Sequence, residues 1–263
     1  MGHIAAKLVR DVVEVGEAVH SPPRLLPRGM IKTHFPTAVL ASLALLSVGC
    51  DDTQLSDATP VTEAFGPQDA FWAALSSHCG KAYAGKLVSQ DAADRDFAGA
   101  DMRMHVRECS DTRIAIPFHV RIDGEWDRSR TWLITRNDAG GLRLKHDHRH
   151  KDGEPDAVTM YGGDTADLGS VRSQAFPVDQ ESIELFEREG LCASVINTWT
   201  VEVDAAGTDD GQFAYQLVRP VATSAPNATW PDECPQYGDG RLFRVEFDLS
   251  EGVDPPPPAW GWE

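Results

Sequence analysis

The segment Arg130–Arg136 (RTWLITR), the turn Asn137–Gly141 (NDAGG) and the segment Leu142–His150 (LRLKHDHRH) decide the fold of this chain. Apolar and polar side chains alternate along both segments, and a period of two is typical of a strand with one buried face. The Asn, Asp and Gly residues between them favour the backbone conformations of a tight turn. The stretch therefore predicts an antiparallel hairpin.

The same alternation recurs on both sides of this hairpin. It is present in residues 102–107, 114–120, 157–161, 193–203, 213–217 and 243–249. Helical spacing of apolar residues occurs in two short segments, 67–78 and 179–189, which each end near a glycine. Many short strands with few helices predict a mainly β fold. We expect an antiparallel up-and-down barrel of lipocalin-like plan, or a β-sandwich, with two short helices.

Three histidines continue the inward face of the second hairpin strand. His146, His148 and His150 alternate with charged residues, so they share one face with the leucines that precede them. Two histidines at this spacing can chelate one zinc or copper ion. A strand rises about 3.3 Å per residue, so the site would combine two of them with His105, His119 or a carboxylate. The alternative is that these histidines form hydrogen bonds at a wet barrel rim.

A second candidate site is Tyr161-Gly162-Gly163. Paired glycines let a backbone approach a ligand closely, although they are also typical of a turn. We expect these three residues, together with His105 and His119, to be the candidates for contact with a ligand in the barrel.

Residues 30–50 have the layout of an export signal. A short basic start at Met30–His34 precedes the apolar run Thr37–Gly49, which has 13 residues, whereas spanning a bilayer takes about 20. The sequence Leu46–Cys50 (LSVGC) resembles the lipobox of bacterial lipoproteins, in which a small residue precedes a cysteine. The resemblance implies cleavage immediately before Cys50, lipid attachment to its sulfur, and a domain that faces the periplasm from the inner or outer membrane.

The signal also predicts the organisation of the chain. We expect translation to begin at Met30, with residues 1–29 as a doubtful extension, 30–50 as signal peptide, 51–66 as flexible tether, 67–250 as a single β domain and 251–263 as a loosely held Pro/Trp tail. The formal net charge of −17 argues against nucleic acid as a partner, because phosphate binding needs clustered positive charge.

Four further cysteines, Cys79, Cys109, Cys192 and Cys234, lie in the exported part. An even number in an oxidising compartment indicates disulfides, and four cysteines allow three pairings. We predict the sequential pairing, Cys79 with Cys109 and Cys192 with Cys234, because it links each half of the domain locally. A metal or redox site is the weaker alternative, since the chain has no Cys-x-x-Cys pair.

Several motifs resemble a group of uncharacterised proteobacterial secreted proteins. The matching residues are Phe71-Trp72, Leu75, Cys79–Gly85, Met104–Asp111, Arg130–Trp132, Lys145–Gly153 and Tyr161–Asp164, and the resemblance spans about residues 65–203. It implies no activity. It places Cys79 and Cys109 in the shared region, which supports their pairing.

No Gly-x-Ser-x-Gly, His-Glu-x-x-His, P-loop or Gly-x-Gly-x-x-Gly motif is present in the sequence. We therefore expect a non-enzymatic domain that binds a small apolar or amphipathic ligand inside a barrel. The alternatives are a metal-binding protein that uses the histidine strand and a hydrolase with a site near His105, His119 and His148. The direction in which the histidine face points discriminates among the three.

Overall fold

A computed structural model describes residues 66–221 and 240–263. Its elements are α1 (Pro67–Ser76), β1 (Ala82–Leu87), β2 (Met102–His105), β3 (Glu108–Cys109), β4 (Arg113–Ile122), β5 (Glu125–Arg136), β6 (Leu142–His148), β7 (Tyr161–Asp164), β8 (Ser173–Pro177), α2 (Gln180–Arg188), β9 (Thr198–Val203), β10 (Gln212–Arg219) and β11 (Arg241–Val253), with 3-10 helices at Ala92–Phe97 and Cys192–Ile196.

All eleven strands belong to one antiparallel sheet. The order is β7-β6-β5-β4-β2-β1-β11-β10-β9-β8, and β3 pairs with β4 alone. Apart from the short β3 and the pair β7 and β8, strands that follow each other in the chain are neighbours, and the first strand pairs with the last, so the sheet curls into a nearly closed up-and-down barrel. The expectation of a mainly β, antiparallel barrel is confirmed.

The only break in this ring of strands, within the described residues, lies between β7 and β8, and α2 bridges it. The Gly162 N–H donates to Ser182 Oγ at 2.7 Å, while the Gly162 carbonyl accepts from the Asp179 N–H at 3.0 Å. A Cβ on Gly163 would lie 1.7 Å from the Pro177 carbonyl oxygen. The glycine pair therefore serves the close approach of backbones at the seam, and it lies in a strand rather than in a turn.

The two α-helices form where the sequence predicts them. Pro67 occupies the first turn of α1, and Phe71 and Leu75 are fully buried. The Asp179 carboxylate accepts the Ser182 N–H and caps α2. Helix α1 lies across the end of the barrel where β5 finishes, since its Asp69 binds Arg136 at 2.9 Å.

Two strand predictions are wrong in detail. Residues 157–160 are irregular, because Met160 has a φ of 56°, which interrupts an extended chain, and β7 begins only at Tyr161. Residues 193–196 belong to a 3-10 helix, so the predicted long strand begins at Thr198. Strand β8 was not predicted, because five residues that end in a proline give a weak alternating signal.

The C-terminal residues lie against the outer face of the barrel instead of hanging free. The His119 Nε2–H donates to the Pro257 carbonyl at 2.9 Å, and the Trp260 N–H donates to the Arg128 carbonyl at 3.1 Å. Trp262 Nε1–H donates to the buried carboxylate of Asp147 at 2.8 Å. The tail is held because it satisfies polar groups that the sheet alone would leave buried and unpaired.

The predicted disulfide between Cys79 and Cys109 is present and links the end of α1 to β3. Cys192 is also disulfide-bonded. Its predicted partner Cys234, the lipidation candidate Cys50 and the predicted segments 1–29, 30–50 and most of the tether 51–66 lie outside the described residues. None of the helices in the described ranges is long and apolar enough to cross a membrane.

Candidate functional site

A small cavity of about 40 Å³ lies inside the barrel, toward the end opposite α1. Inward residues of seven strands surround it because antiparallel register places directly opposed residues on the same face. Aromatic rings come from Phe118, Trp132, Phe186, Trp199 and Phe243, and polar groups come from Arg130, His146, His148, Tyr161, Ser194, Asn197 and Tyr215. Polar side chains thus meet around the cavity.

Stacked rings form the floor of the cavity. The indole of Trp132 stacks on Phe118 and on Tyr215, with ring centroids 4.8 and 4.5 Å apart. His146 lies opposite Trp132 in the register of β5 with β6, and its ring stacks on Tyr161 at 4.5 Å. These contacts fix the orientation of the polar groups that the same rings carry.

His146 is held as a neutral imidazole. Its Nδ1 lies 2.9 Å from the Tyr161 carbonyl, which can only accept, so the proton is on Nδ1 and Nε2 accepts from the Tyr215 hydroxyl at 2.8 Å. Burial lowers the pKa of His146 from 6.5 to about 4, with a smaller lowering by the charge of Lys145, and the bond to the Tyr161 carbonyl opposes the change. Both ring nitrogens are therefore occupied.

His148 lies one layer nearer the polar end of the barrel. Its Nε2 lies 3.1 Å from the hydroxyl of Tyr161. Burial is the main cause that holds its pKa well below the usual value, and the nearby charge of Arg130 lowers it further. Burial also raises the pKa values of Tyr161 and Tyr215, so both phenols keep their protons.

Arg130 supplies the positive charge of the site. Its guanidinium is 4% exposed, and one terminal nitrogen, Nη1, donates to Asp127 at 2.8 Å. Burial raises the pKa of Asp127, but the Arg130 charge and hydrogen bonds from Ser129 outweigh burial and leave it below the usual value. The Phe97 ring covers the guanidinium at 5.5 Å. Arg130 Nε and Nη2 are buried without a hydrogen-bond partner.

The expected metal site does not assemble in the part of the chain that the structure describes. No group of three or more His, Cys, Asp or Glu side chains there is placed to hold a metal ion. His146 and His148 face the interior as predicted, but their ring centroids are 6.5 Å apart. His150 lies beyond the end of β6, with its side chain 44% exposed and 3.8 Å from Asp156. Zinc and copper ligation therefore has no geometric support.

The other predicted ligand contacts separate into two groups. Tyr161 lines the cavity, whereas Gly162 and Gly163 form the seam beside it. His119 is fully buried but on the outer face of β4, under the tail, and burial lowers its pKa to about 4. His105 shares that outer face, and burial lowers its pKa too. Neither histidine lines the cavity.

The imidazoles of the cavity form their hydrogen bonds with tyrosines. Within the described ranges, the side chains of His146 and His148 bond to tyrosine hydroxyls and to a backbone carbonyl, and neither imidazole has a hydrogen bond to a serine or cysteine. A hydrolase would need a nucleophile or an activated water within reach of an imidazole. The hydrolase alternative therefore has no supporting contact.

Comparison with protein-family models finds no match to this chain. Searches among curated proteins and among solved structures find no significant match either. The resemblances to bacterial lipoproteins and to a proteobacterial secreted group therefore stay predictions.

Proposed function

We propose that this domain binds a small molecule in the interior of its barrel. The observation that carries the proposal is the 40 Å³ cavity, in which aromatic rings surround a buried cluster of polar groups. Concave sites with mostly apolar walls and a few convergent polar groups are the usual form of small-molecule sites. A purely structural core at this position would be more stable with apolar side chains, because buried polar groups lose their hydration.

The volume of the cavity limits the size of the ligand. Each ordered water needs about 10–15 Å³ of such volume, so the space holds about three waters. The ligand therefore has only a few non-hydrogen atoms, unless ring side chains move aside. A lipid or a large apolar molecule, as in the wider barrels that carry such ligands, does not fit this interior.

A cavity-filling variant tests the proposal. Ser194 lines the cavity and is buried, so Ser194→Leu fills the space, while Ser250→Leu makes the same change at an exposed position. Acetate, acetamide and acetone are titrated against the ¹⁵N-labelled domain, and chemical shifts are followed. We expect saturable shifts around Trp132 and Tyr161 for at least one probe, in wild type and Ser250→Leu but not in Ser194→Leu. Absence of saturation with every probe, or equal binding by Ser194→Leu, contradicts the proposal.

We also infer from the export signal that the domain faces the periplasm on a lipid anchor at Cys50. The support is the basic start, the apolar run and the small residue before the cysteine. More than one acyl chain gives stable attachment, because each buried methylene contributes about 0.8 kcal/mol. Mass spectrometry of membrane fractions should find Cys50 acylated at a new N-terminus, and Cys50→Ser should release the protein. An unmodified Cys50 behind an intact Met30 contradicts this inference.

A further inference from the structure

Arg130 lines the cavity, and one edge of its guanidinium has no hydrogen-bond partner. The ion pair with Asp127 uses Nη1 and leaves Nε and Nη2 without a partner, although both are buried. Among the described residues, Arg130 is the only side chain with two such atoms. A buried donor attached to a charged group is costly when it is unpaired, so such a pair indicates that something else completes it.

The Nε and Nη2 edge of an arginine prefers a carboxylate, as two other arginines of this protein show. Arg143 binds Asp164 with Nε to Oδ1 at 2.6 Å and Nη2 to Oδ2 at 2.8 Å. Arg172 holds Asp204 through the same edge, with Nε to Oδ1 at 2.6 Å and Nη2 to Oδ2 at 2.8 Å. The two parallel N–H groups of Nε and Nη2 match the two oxygens of a carboxylate.

We propose that the ligand of the barrel is a small carboxylate that binds side-on to Nε and Nη2 of Arg130. The inference rests on the proposed function and names the chemical class of its ligand. The carboxylate oxygens accept both free N–H groups, and a short apolar remainder lies against the stacked rings of Trp132 and Phe118. Acetate and propionate are small enough for this cavity, and their contact with the buried Nε and Nη2 atoms requires neighbouring side chains to shift.

The free edge of Arg130 favours an anion over a neutral molecule. The two other inward arginines near Leu217 and Phe243 have partners of their own, since Arg241 is paired with Asp94 and Asp91, and Arg219 donates to Asn197. Hydrogen bonds between ionised partners are about twice as strong as neutral ones, and the aromatic surroundings weaken screening by water. A neutral amide would leave one of the two Arg130 donors facing its NH₂ group.

Acetate, propionate and acetamide are the probes for the test, and isothermal titration calorimetry of the disulfide-intact domain is the measurement. We expect acetate and propionate to bind at least about tenfold more tightly than acetamide, which corresponds to the loss of one charge-assisted hydrogen bond. Arg130→Lys keeps the charge but loses the planar fork, and should weaken propionate by about tenfold or more. Arg143→Gln removes an arginine from the outer face of β6 and should leave binding unchanged, as a control for net charge.

A second measurement uses the wild type and needs no substitution at Arg130. It covers the case in which a variant fails to fold because the buried Asp127 carboxylate has lost its hydrogen bond from Arg130. In wild type, the ¹⁵Nε–Hε resonance of Arg130 should shift downfield and saturate with propionate, and should move little with acetamide. Equal affinity for acetamide and propionate, with an unmoved Arg130 resonance, overturns the carboxylate assignment and leaves interior binding intact. Equal weakening by Arg143→Gln also overturns it. Failure of all probes to bind wild type overturns the proposed function itself.

Discussion

Acidification from pH 7 to pH 5 should destabilise the folded protein through His146. Burial lowers the pKa of this imidazole from 6.5 to about 4 in the folded state, so the unfolded chain binds the proton first. Its contribution to stability is therefore complete above about pH 6.5 and is lost as the pH falls toward 4. The contribution of His146 to the free energy of unfolding is about 3 kcal/mol in full, and about 2 kcal/mol of it is lost between pH 7 and pH 5.

The variant His146→Gln isolates this contribution. Its amide does not titrate, and it can still donate to the Tyr161 carbonyl and accept from Tyr215. Urea unfolding followed by tryptophan fluorescence at pH 7, 6 and 5 gives the free energy of unfolding of each protein. We expect the pH-dependent loss in the variant to be about 2 kcal/mol smaller than in wild type. His119→Gln should give a similar and additive reduction, because burial lowers the pKa of His119 to about 4 as well.

Equal losses in wild type and His146→Gln, within about 0.5 kcal/mol, would refute the reasoning. That result would mean that the imidazole keeps an ordinary pKa in the folded protein, which requires water or an anion beside it. The Tyr161, Tyr215 and Trp199 rings would then not exclude solvent as their packing around His146 indicates.

Three further predictions concern the seam between β7 and β8, the disulfide and the C-terminal tail. Gly163→Ala should lower the free energy of unfolding in urea by more than about 3 kcal/mol, because the added Cβ would lie 1.7 Å from a carbonyl oxygen. Gly252→Ala is the control: its nearest atom is 3.8 Å away, so it should change the free energy of unfolding by less than about 0.5 kcal/mol. Replacing Cys79 and Cys109 by serine removes a cross-link between residues with a sequence separation of 30. Chemical denaturation should show a free energy of unfolding that is lower by about 3 to 4 kcal/mol. Trp262→Phe keeps an aromatic ring but removes the hydrogen bond to the buried Asp147 carboxylate of β6. It should lower the free energy of unfolding by about 1–2 kcal/mol and speed amide hydrogen exchange along β4–β6.

Each of these results has a contrary outcome. Equal stability of the two glycine variants would mean that β7 and β8 do not approach closely. An unchanged free energy of unfolding after loss of both cysteines would mean that the bond does not form in the native protein. A tail variant indistinguishable from wild type, by both stability and exchange, would show that residues 254–263 do not cover the sheet in solution.

The fold was largely predictable because its signals are local. The hairpin of β5 and β6 follows from alternation and a glycine-rich turn, and both helices follow from apolar spacing and their caps. The boundaries near β7 and β9 were not predictable, because the backbone φ of Met160 and the 3-10 turn at 193–196 leave no trace in an alternating pattern. Closure through α2 depends on Gly163, which alone indicates only a close approach or a turn.

The candidate site was predictable only in part. Strand alternation alone places His146 and His148 inward. It also places Arg130 inward beside Trp132, although an arginine is not a metal ligand and so gives no signal of a metal site. The partner Tyr215 lies 69 positions away from His146, so no local pattern joins them.

The pairing of Arg130 with Asp127 depends on a β-bulge. Residues three apart in a regular strand point to opposite faces, but the register shifts between Phe118 and Val120 in β4, opposite this part of β5. The extra residue brings Asp127 to the same side as Arg130, where their side chains meet at 2.8 Å. A β-bulge changes the direction in which one side chain points, and bulges are common next to binding sites. The alternating pattern of the sequence does not show where a bulge occurs.

The proposed carboxylate site accounts for the polar groups at the cavity end of the barrel. Near α1 the interior includes the fully buried apolar side chains Ile114, Ile134 and Leu144, which contribute hydrophobic stability to the domain. At the other end, Arg130 keeps two unpaired donors, and each unpaired buried donor costs about 1–3 kcal/mol. Apolar residues of equal volume would avoid that cost. Under the proposed function, a bound carboxylate accepts both hydrogen bonds, and the binding free energy then offsets the cost of keeping Arg130 in the barrel.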